Sequence, residues 1–469
     1  MSAPKGIPAS DVLLRVLSEQ YHLTTTLAGE PFAVRYDSPC VMIPLRGTEG
    51  LRQRLARDGF MVTGRAMNQQ ALADAMTMAE GMAMTPGKKR GRPALRVARA
   101  PDGAIIIDLS RDDGLMVWVT PAGWGTTVRP PVLFRRTPAM AALPVPVQRG
   151  NMAKMGGLVN LHSINEMALY AGCRLMSALP EGTRPVEILT GQPGAAKTTT
   201  TRITVEWLGG TMSPMPKDAR DWAAIAAATR VLGHDNISHL TADRQDLMCK
   251  AASGHEHLGR ALYTDVDLFK VAFEPLTLVV NGVEVGDLRG DLIRRSVPHR
   301  LDRPGRYTGD AEIAAQWEAA HGDALGWLLD LLVRVLRQME RTARPGADSL
   351  PGFAHVLASL DSLWGTGALA LWRDSQHELY EEAADADPVA LALRKGITAP
   401  WEGTAAQLLD LLDSQVLLPP SPSPGRPWTP RGLAAKLDRA QAALEALGWK
   451  VERIADSHAK ARRIRLIPT

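Results

Sequence analysis

Residues 186–210 read VEILTGQPGAAKTTTTRITVEWLGG: an apolar run, a turn with two glycines, then a Lys-Thr pair opening a helical stretch. This order leaves the chain few options. A strand that enters a glycine turn and leaves as a helix is the repeating piece of a parallel α/β sheet. It aims backbone N–H groups and a positive helix end at one point. Gly191 and Gly194 let the backbone bend inward, Gln192, Pro193, Ala195 and Ala196 complete the turn, and Lys197, Thr198 and Thr199 begin the helix. Those donors suit a polyphosphate. Lys197 would neutralise its terminal charge, and the Thr198 hydroxyl would hold Mg²⁺. The expectation is a site for ATP and Mg²⁺. Ala196 stands where such loops prefer glycine; because it begins the helix, alanine is expected to be tolerated there. A glycine-rich turn with a chance Lys-Thr pair is the competing reading.

Three downstream features have the residue types such a site needs. ATRVLGHDNIS places Asp235 after an apolar run, where a carboxylate can hold the magnesium. Asn236 follows where many ATPases carry a catalytic glutamate; an amide can orient water but cannot take its proton. LTLVVNG delivers Asn281 to the end of another strand, at the sheet edge where open α/β folds bind ligands. DLIRRS ends a helix with Arg294 and Arg295, and one of them could reach the γ-phosphate of a neighbouring subunit. Each has a plainer alternative: an Asp-Asn turn, an Asn-Gly turn and a solvated basic helix end.

The remaining chain divides by composition and period. Residues 1–150 read as a mixed α/β domain. Helices are expected at 12–20 and 64–82, a strand zone at 32–45, and strands within LRVAR, AIIIDLS, LMVWVT and TTVRPPVLF, with a turn at Pro101, Asp102 and Gly103. Ser163 followed by Glu166 predicts a capped helix over 163–178. A parallel core is expected over 155–302. A helical region at 303–416 includes an amphipathic stretch at 310–340 with Trp317, Trp327, Leu328, Leu331 and Leu332 on its apolar side. Further helices are expected at 351–360, 366–384 and 403–413. The proline-rich 417–428 reads as a semi-rigid linker. Three cysteines (Cys40, Cys173, Cys249) at no metal-ligand spacing suggest reduced thiols, and there is no secretory leader pattern or 18-residue apolar run, so a soluble cytoplasmic protein without a membrane span is expected.

The order loop-lysine, Asp-Asn, strand-Asn, Arg-Arg resembles that of the AAA+ ATPases. More narrowly it resembles the superfamily-3-like and poxvirus-type primase-helicase ATPases of phages and integrative elements. KDARDWAAIAAATRVLGHDNISHL, LMCKAASG and GRALYTD resemble ATP-binding proteins of actinobacterial mobile elements and prophages. The resemblance implies a homo-oligomeric ring, commonly a hexamer, with ATP between subunits. It also implies a hairpin lining a central channel for single-stranded DNA. Here ALYTDVDLFKVAF would be that hairpin, with Arg260 and Lys270 as its cations and acids at its tip, residues 264–267.

Residues 429–469 carry nine Lys/Arg against four acids, a net +5 compared with +4 for the whole chain. Thr429 and Pro430 start a helix, Gly448 stops it, and two alternating strands follow. This resembles a winged helix, in which Arg431, Lys436, Arg462 and Arg463 would contact duplex DNA. A protein-docking surface is the alternative. GKKRGRPA resembles a single AT-hook, or a basic surface loop. The expected function is an ATP-dependent ring motor on DNA, a replicative helicase of a phage or mobile element. A nucleotide-switched DNA-binding or loader protein and a phage-defence ATPase platform are the alternatives.

Overall fold

The computed structural model describes residues 8–468 except 48–49, 87–90, 156, 162, 238, 261–267, 283–287, 347, 419–427 and 456–461. The N-terminal elements are α1 (Ala9–Gln20), β1 (Tyr21–Thr25), β2 (Pro31–Arg35), β3 (Val41–Pro44), α2 (Leu51–Thr63), α3 (Gln69–Ala83), β4 (Val97–Arg99), β5 (Ile105–Asp108), β6 (Met116–Thr120), β7 (Gly123–Thr127) and β8 (Phe134–Arg135). They form two four-stranded sheets, ordered β1-β2-β3-β8 and β4-β5-β6-β7. The helix expected from residue 64 begins at Gln69, because the Asn68 side chain accepts the Ala71 N–H and caps it there. Helix α2 was not foreseen. Its Gly59 lies so close to α1 that a Cβ would sit 2.9 Å from Leu13 Cδ2. The strand expected in TTVRPPVLF lies mostly upstream, at β7, since Pro130 and Pro131 cannot donate to a ladder.

The parallel core contains α4 (Ile164–Ala178), β9 (Val186–Gly191), α5 (Lys197–Glu206), β10 (Thr211–Met212), α6 (Ala219–Ala226), β11 (Val231–His234), α7 (Ala242–Ser253), β12 (Glu256–Arg260), β13 (Leu268–Ala272), β14 (Thr277–Asn281), α8 (Gly290–Ile293) and β15 (Ser296–Leu301). The Ser163–Glu166 capping box heads α4 as expected. Five strands run in the order β10-β11-β14-β9-β15, and every neighbouring pair is parallel. Both faces are covered, which is why β9, β11 and β14 bury apolar residues on both sides. Leu189, Val231, Val279 and Val297 join one core, while Val186, Ile188, Leu232 and Val280 join the other. Strands β12 and β13 pair with each other as an antiparallel hairpin beside the sheet.

The C-terminal half contains α9 (Asp310–Met339), α10 (Pro351–Trp364), α11 (Ala368–Ala386), α12 (Pro388–Gly396), β16 (Trp401–Thr404), α13 (Ala405–Ser414), α14 (Pro430–Ala446), β17 (Lys450–Ala455) and β18 (Arg462–Ile467). Two expected boundaries are revised. The division at 150 separates chain segments but not cores: Ile105, Ile107, Val117 and Val119 of the second N-terminal sheet pack in one cluster with Leu325 and Leu328 of α9. The division at 417–428 also fails to isolate a unit. The expected helix at 403–413 starts at Ala405, and the four residues before it form β16, which pairs with β18. The basic unit's sheet, ordered β16-β18-β17, therefore takes its first strand from before the proline-rich stretch.

The connector before α4 lies hard against α9. Val147 N–H donates to the Gly322 carbonyl at 3.0 Å, and a Cβ on Gly326 would fall 1.8 Å from the Val147 oxygen. Gly326→Ala gains about 1 kcal/mol in helix propensity. The overlap is expected to outweigh this, for a net loss of about 1–3 kcal/mol on denaturant titration. On the same helix His321 stacks on Trp317 (centroids 4.4 Å apart) and donates from Nε2 to the Trp207 carbonyl. Burial holds its pKa at about 4, against an ordinary 6.5. The folded ring is therefore neutral, and the unfolded chain binds the extra proton. The resulting stability is complete above pH 6.5 and is lost as pH falls toward 4, at about 1.4 kcal/mol per pH unit. Chemical denaturation across that window should show this fall, and His321→Gln should make it shallower.

Candidate functional site

The glycine loop joins β9 to α5 at the C-terminal edge of the parallel sheet, between β14 and β15. Gly191 has φ +146°, and a Cβ there would lie 2.3 Å from the Leu301 carbonyl oxygen. Gly194 has φ +84°, with the Tyr307 hydroxyl filling the space a Cβ would need. Gln192 and Pro193 are exposed, Ala195 is buried, and Thr199, the third residue of α5, is half-buried. Ala196 departs from the expectation of a harmless substitution. It heads α5 with φ +56°, in the left-handed region, at a cost of roughly 1–2 kcal/mol for a residue with a Cβ. Strain of this kind concentrates where function demands a particular backbone.

Lys197 Nζ donates to the Gly191 carbonyl at 2.7 Å and the Gln192 carbonyl at 3.1 Å, so its ammonium lies within the loop's own curve. The Thr198 hydroxyl donates to Asp235 Oδ1 at 3.0 Å. The hydroxyl and carboxylate that the sequence suggests for Mg²⁺ thus come from the head of α5 and the end of β11, and meet. Their oxygens are the hard donors that cation takes, and the glycine turn holds the Lys197 ammonium within its curve, so the residue types present fit ATP and Mg²⁺. Asn236 has φ +52° and its N–H donates to Asn281 Oδ1 at 2.8 Å. Asn281 Nδ2 donates in turn to Thr201 Oγ1 at 2.8 Å. Thr201 was not singled out from the sequence, where it is one of four consecutive threonines.

Behind Asp235, His234 is buried as its Nδ1–H tautomer. Its Nδ1 donates to the Ser213 carbonyl, and Nε2 accepts from Trp222 Nε1 at 2.9 Å. Burial holds its pKa below the ordinary value. Deeper in the sheet, ligand atoms of Cys173, Glu187 and His299 lie within 4.8 Å of one another. The Arg174 guanidinium already pairs with Glu187, and burial pushes the Cys173 thiol up to about 12. The group is an internal ion pair with its neighbours, unsuited to a metal.

A cleft of about 540 Å³ opens beside the loop, lined by Gly191, Pro193, Lys197, Gly282, Arg300 and Glu382. Arg303 Nε donates to the Pro193 carbonyl at 3.1 Å. Sequence reasoning missed both arginines, because neither has a motif of its own. Arg294 and Arg295 do not join the site in their own chain. They precede β15 at the N-terminal edge, where Ser296 pairs with Val186, whereas the loop begins at the opposite edge, where Leu301 pairs with Gly191. Arg295 Nη1 donates to the Asp291 carbonyl at 2.8 Å, and Arg294 is exposed.

Of the expected DNA contacts, Arg260 and Lys270 lie on the paired strands β12 and β13, but their side chains and residues 261–267 are outside the described residues. Arg431 is exposed at the start of α14. Arg463 is 3.4 Å from Glu402, and the Arg462 side chain is outside the described residues. Lys436 differs from expectation. It lines a crevice of about 640 Å³ with Arg289, Gly290 and Asp387, because α14 packs its apolar stripe and small residues against α11 and α8. A Cβ on Gly290 would lie 2.5 Å from Ala442 Cβ. Half of the AT-hook-like stretch, residues 87–90, is outside the described residues. Among the described residues no helix is long and apolar enough to cross a membrane.

No curated protein matches the chain. Three solved structures of the NrS-1 C-terminal region are similar in outline. Its apo structure (305–718) is 12% identical, covers 99% of each chain and has a TM-score of 0.41. Two A-form apo structures have TM-scores of 0.42 and 0.39 at 12% identity, covering 97–98% of this chain and 98–99% of theirs. Likeness at that level carries no argument. Family comparison is more specific. Residues 153–382 match the actinomycete integrative conjugative element replication protein, and residues 389–469 match the RepA C-terminal domain of the same elements. The second match begins within α12 and so takes in β16, the strand that pairs with β18. With two consecutive matches spanning about two thirds of its length, the chain belongs to the replication proteins of actinomycete integrative conjugative elements.

Proposed function

We propose that this chain is an ATP-dependent ring motor acting on DNA, a replicative helicase of a mobile element. The observation that carries the reading is the Thr198 hydroxyl 3.0 Å from the Asp235 carboxylate, at the head of the helix that Lys197 begins. Bound there, Mg·ATP would supply the phosphoryl group whose transfer to water drives movement. The chain's own residues would position it: the loop amides hold the phosphates, Lys197 compensates charge, and Asn281 holds the Asp235–Asn236 turn in place. The strand order β10-β11-β14-β9-β15 supports an AAA+ core. In such a ring Arg294 or Arg295 would face the loop of the next subunit, which accords with their distance from the loop of their own chain. Helix, strand, two helices and a hairpin over 388–467, with sheet order β16-β18-β17, support a winged helix for DNA. Family membership supports a part in DNA replication.

A second reading is favoured by one residue. Asn236 cannot accept a proton from water, so a nucleotide-switched DNA-binding or loader protein needs less of the site than a processive motor does. Strand displacement with ATP separates the two: unwinding that disappears in Lys197→Ala supports the motor, and ATP-dependent DNA binding without displacement supports the switch. Lys197→Ala is expected to weaken ATP binding by about tenfold or more by calorimetry, since an ammonium and two or three charge-assisted bonds are lost together. Arg295→Ala is expected to retain ATP affinity and lower turnover by about 10³-fold. Mixing it with Lys197→Ala subunits should restore part of the activity, because some interfaces then pair an intact loop with an intact arginine.

A further inference from the structure

We infer that Arg300 is a ligand for the terminal phosphate of a nucleoside triphosphate in the loop site, held beforehand by two carboxylates that it exchanges for that phosphate. The inference rests on the nucleotide reading of the site. Strand β15 runs in register with β9, so that Arg300 pairs with Thr190 and Leu301 with Gly191, the first residue of the loop. His299 and Leu301 are buried on one face, while Pro298 and Arg300 line the cleft that also holds Gly191, Pro193 and Lys197. The Arg300 side chain is 59% exposed, with Nη2 at 2.8 Å from Glu382 Oε1 and 3.0 Å from Glu378 Oε2.

Glu378 and Glu382 stand one turn apart on α11, where like charges repel unless a cation lies between them. Exposed ion pairs of this kind contribute little. A polyphosphate beside Lys197 offers the same guanidinium fork a multiply charged, better matched acceptor. The exchange is therefore favoured when a terminal phosphate is present and has little to gain when it is missing, so Arg300 distinguishes triphosphate from diphosphate. The exchange also reaches α11, which braces the segment carrying Arg294. Gln376 Nε2 donates to the Arg294 carbonyl at 2.9 Å, Tyr380 Oη to the Gly290 carbonyl at 3.1 Å, and Trp372 Nε1 to the Ser296 carbonyl at 3.1 Å. Departure of Arg300 removes the cation between two glutamates on the helix that supports Arg294 and packs on α14, so the exchange is expected to be felt along α11.

The test is calorimetric titration of the full chain with Mg²⁺ and either a non-hydrolysable ATP analogue or ADP. The proteins compared are wild type, Arg300→Ala, the double variant Glu378→Gln with Glu382→Gln, and Lys197→Ala. Arg300→Ala is expected to lose about tenfold or more in affinity for the triphosphate analogue and to keep ADP affinity within about threefold. The double variant is expected to bind the analogue about threefold or more tighter, because no carboxylate competes. Hydrogen exchange over residues 368–386 is expected to respond to the analogue in wild type and not in Arg300→Ala. Unchanged analogue affinity in Arg300→Ala alongside lost affinity in Lys197→Ala overturns the role of Arg300 and leaves the loop site standing. An equal loss for both nucleotides overturns the terminal-phosphate assignment. A wild-type chain that binds neither nucleotide overturns this inference together with the nucleotide reading beneath it.

Discussion

The carboxamide of Asn281 gives its oxygen to the Asn236 N–H and its nitrogen to the Thr201 hydroxyl. Three pieces of chain meet there: the end of β14, the turn after β11, and the helix that follows the glycine loop. A carboxylate would satisfy the first contact and lose the second, and an apolar residue would lose both. The side chain is 2% exposed, so a missing partner leaves a buried polar group unpaired at a cost of about 1–3 kcal/mol. This amide ties the turn that carries Asp235 to the helix that carries Thr198. The Ile237 N–H closing on the Asn281 carbonyl at 2.9 Å holds the turn from the other side.

The surrounding architecture follows from covering the sheet twice. Strands apolar on both faces require helices above and below, and parallel strands deliver all their C-terminal ends to one edge. The loop, Asp235, Asn281 and Arg300 lie at that edge, while Arg294 and Arg295 lie at the other. Two residues with a Cβ, Ala196 and Asn236, adopt left-handed backbone at the functional edge. The packed sheet and the Asn281 bridge hold both residues in that conformation.

Much of this was readable in the sequence where the signal is local. The glycine loop, the Ser163–Glu166 cap and the Asp-Asn and Asn-Gly strand ends each write their geometry within a few residues. Contacts that depend on distant parts of the chain were not readable. Arg300 is an unremarked cation until β15 is laid beside β9, and Thr201 is one threonine among four until Asn281 reaches it. The left-handed conformation of Ala196 does not show in the sequence, because helix propensity says nothing about the cap's backbone. The N-terminal reading stopped at short strands, since nothing in LMVWVT indicates that its partner is a helix two hundred residues later. Lys436 reads as a cation on an isolated basic unit until α14 is laid against α8 and α11, which places it, half-exposed, along a crevice.

The pairing of β16 with β18 has a bearing on how such a unit can be inherited. Its first strand precedes the proline-rich stretch and its last two follow it, so in sequence the stretch is internal to the unit. Recombination at the linker would divide a single sheet between two genes, and neither fragment would retain all three strands. A crossover just before Pro388 would carry the whole cassette, and variation in the length or composition of the proline-rich stretch would leave its sheet intact.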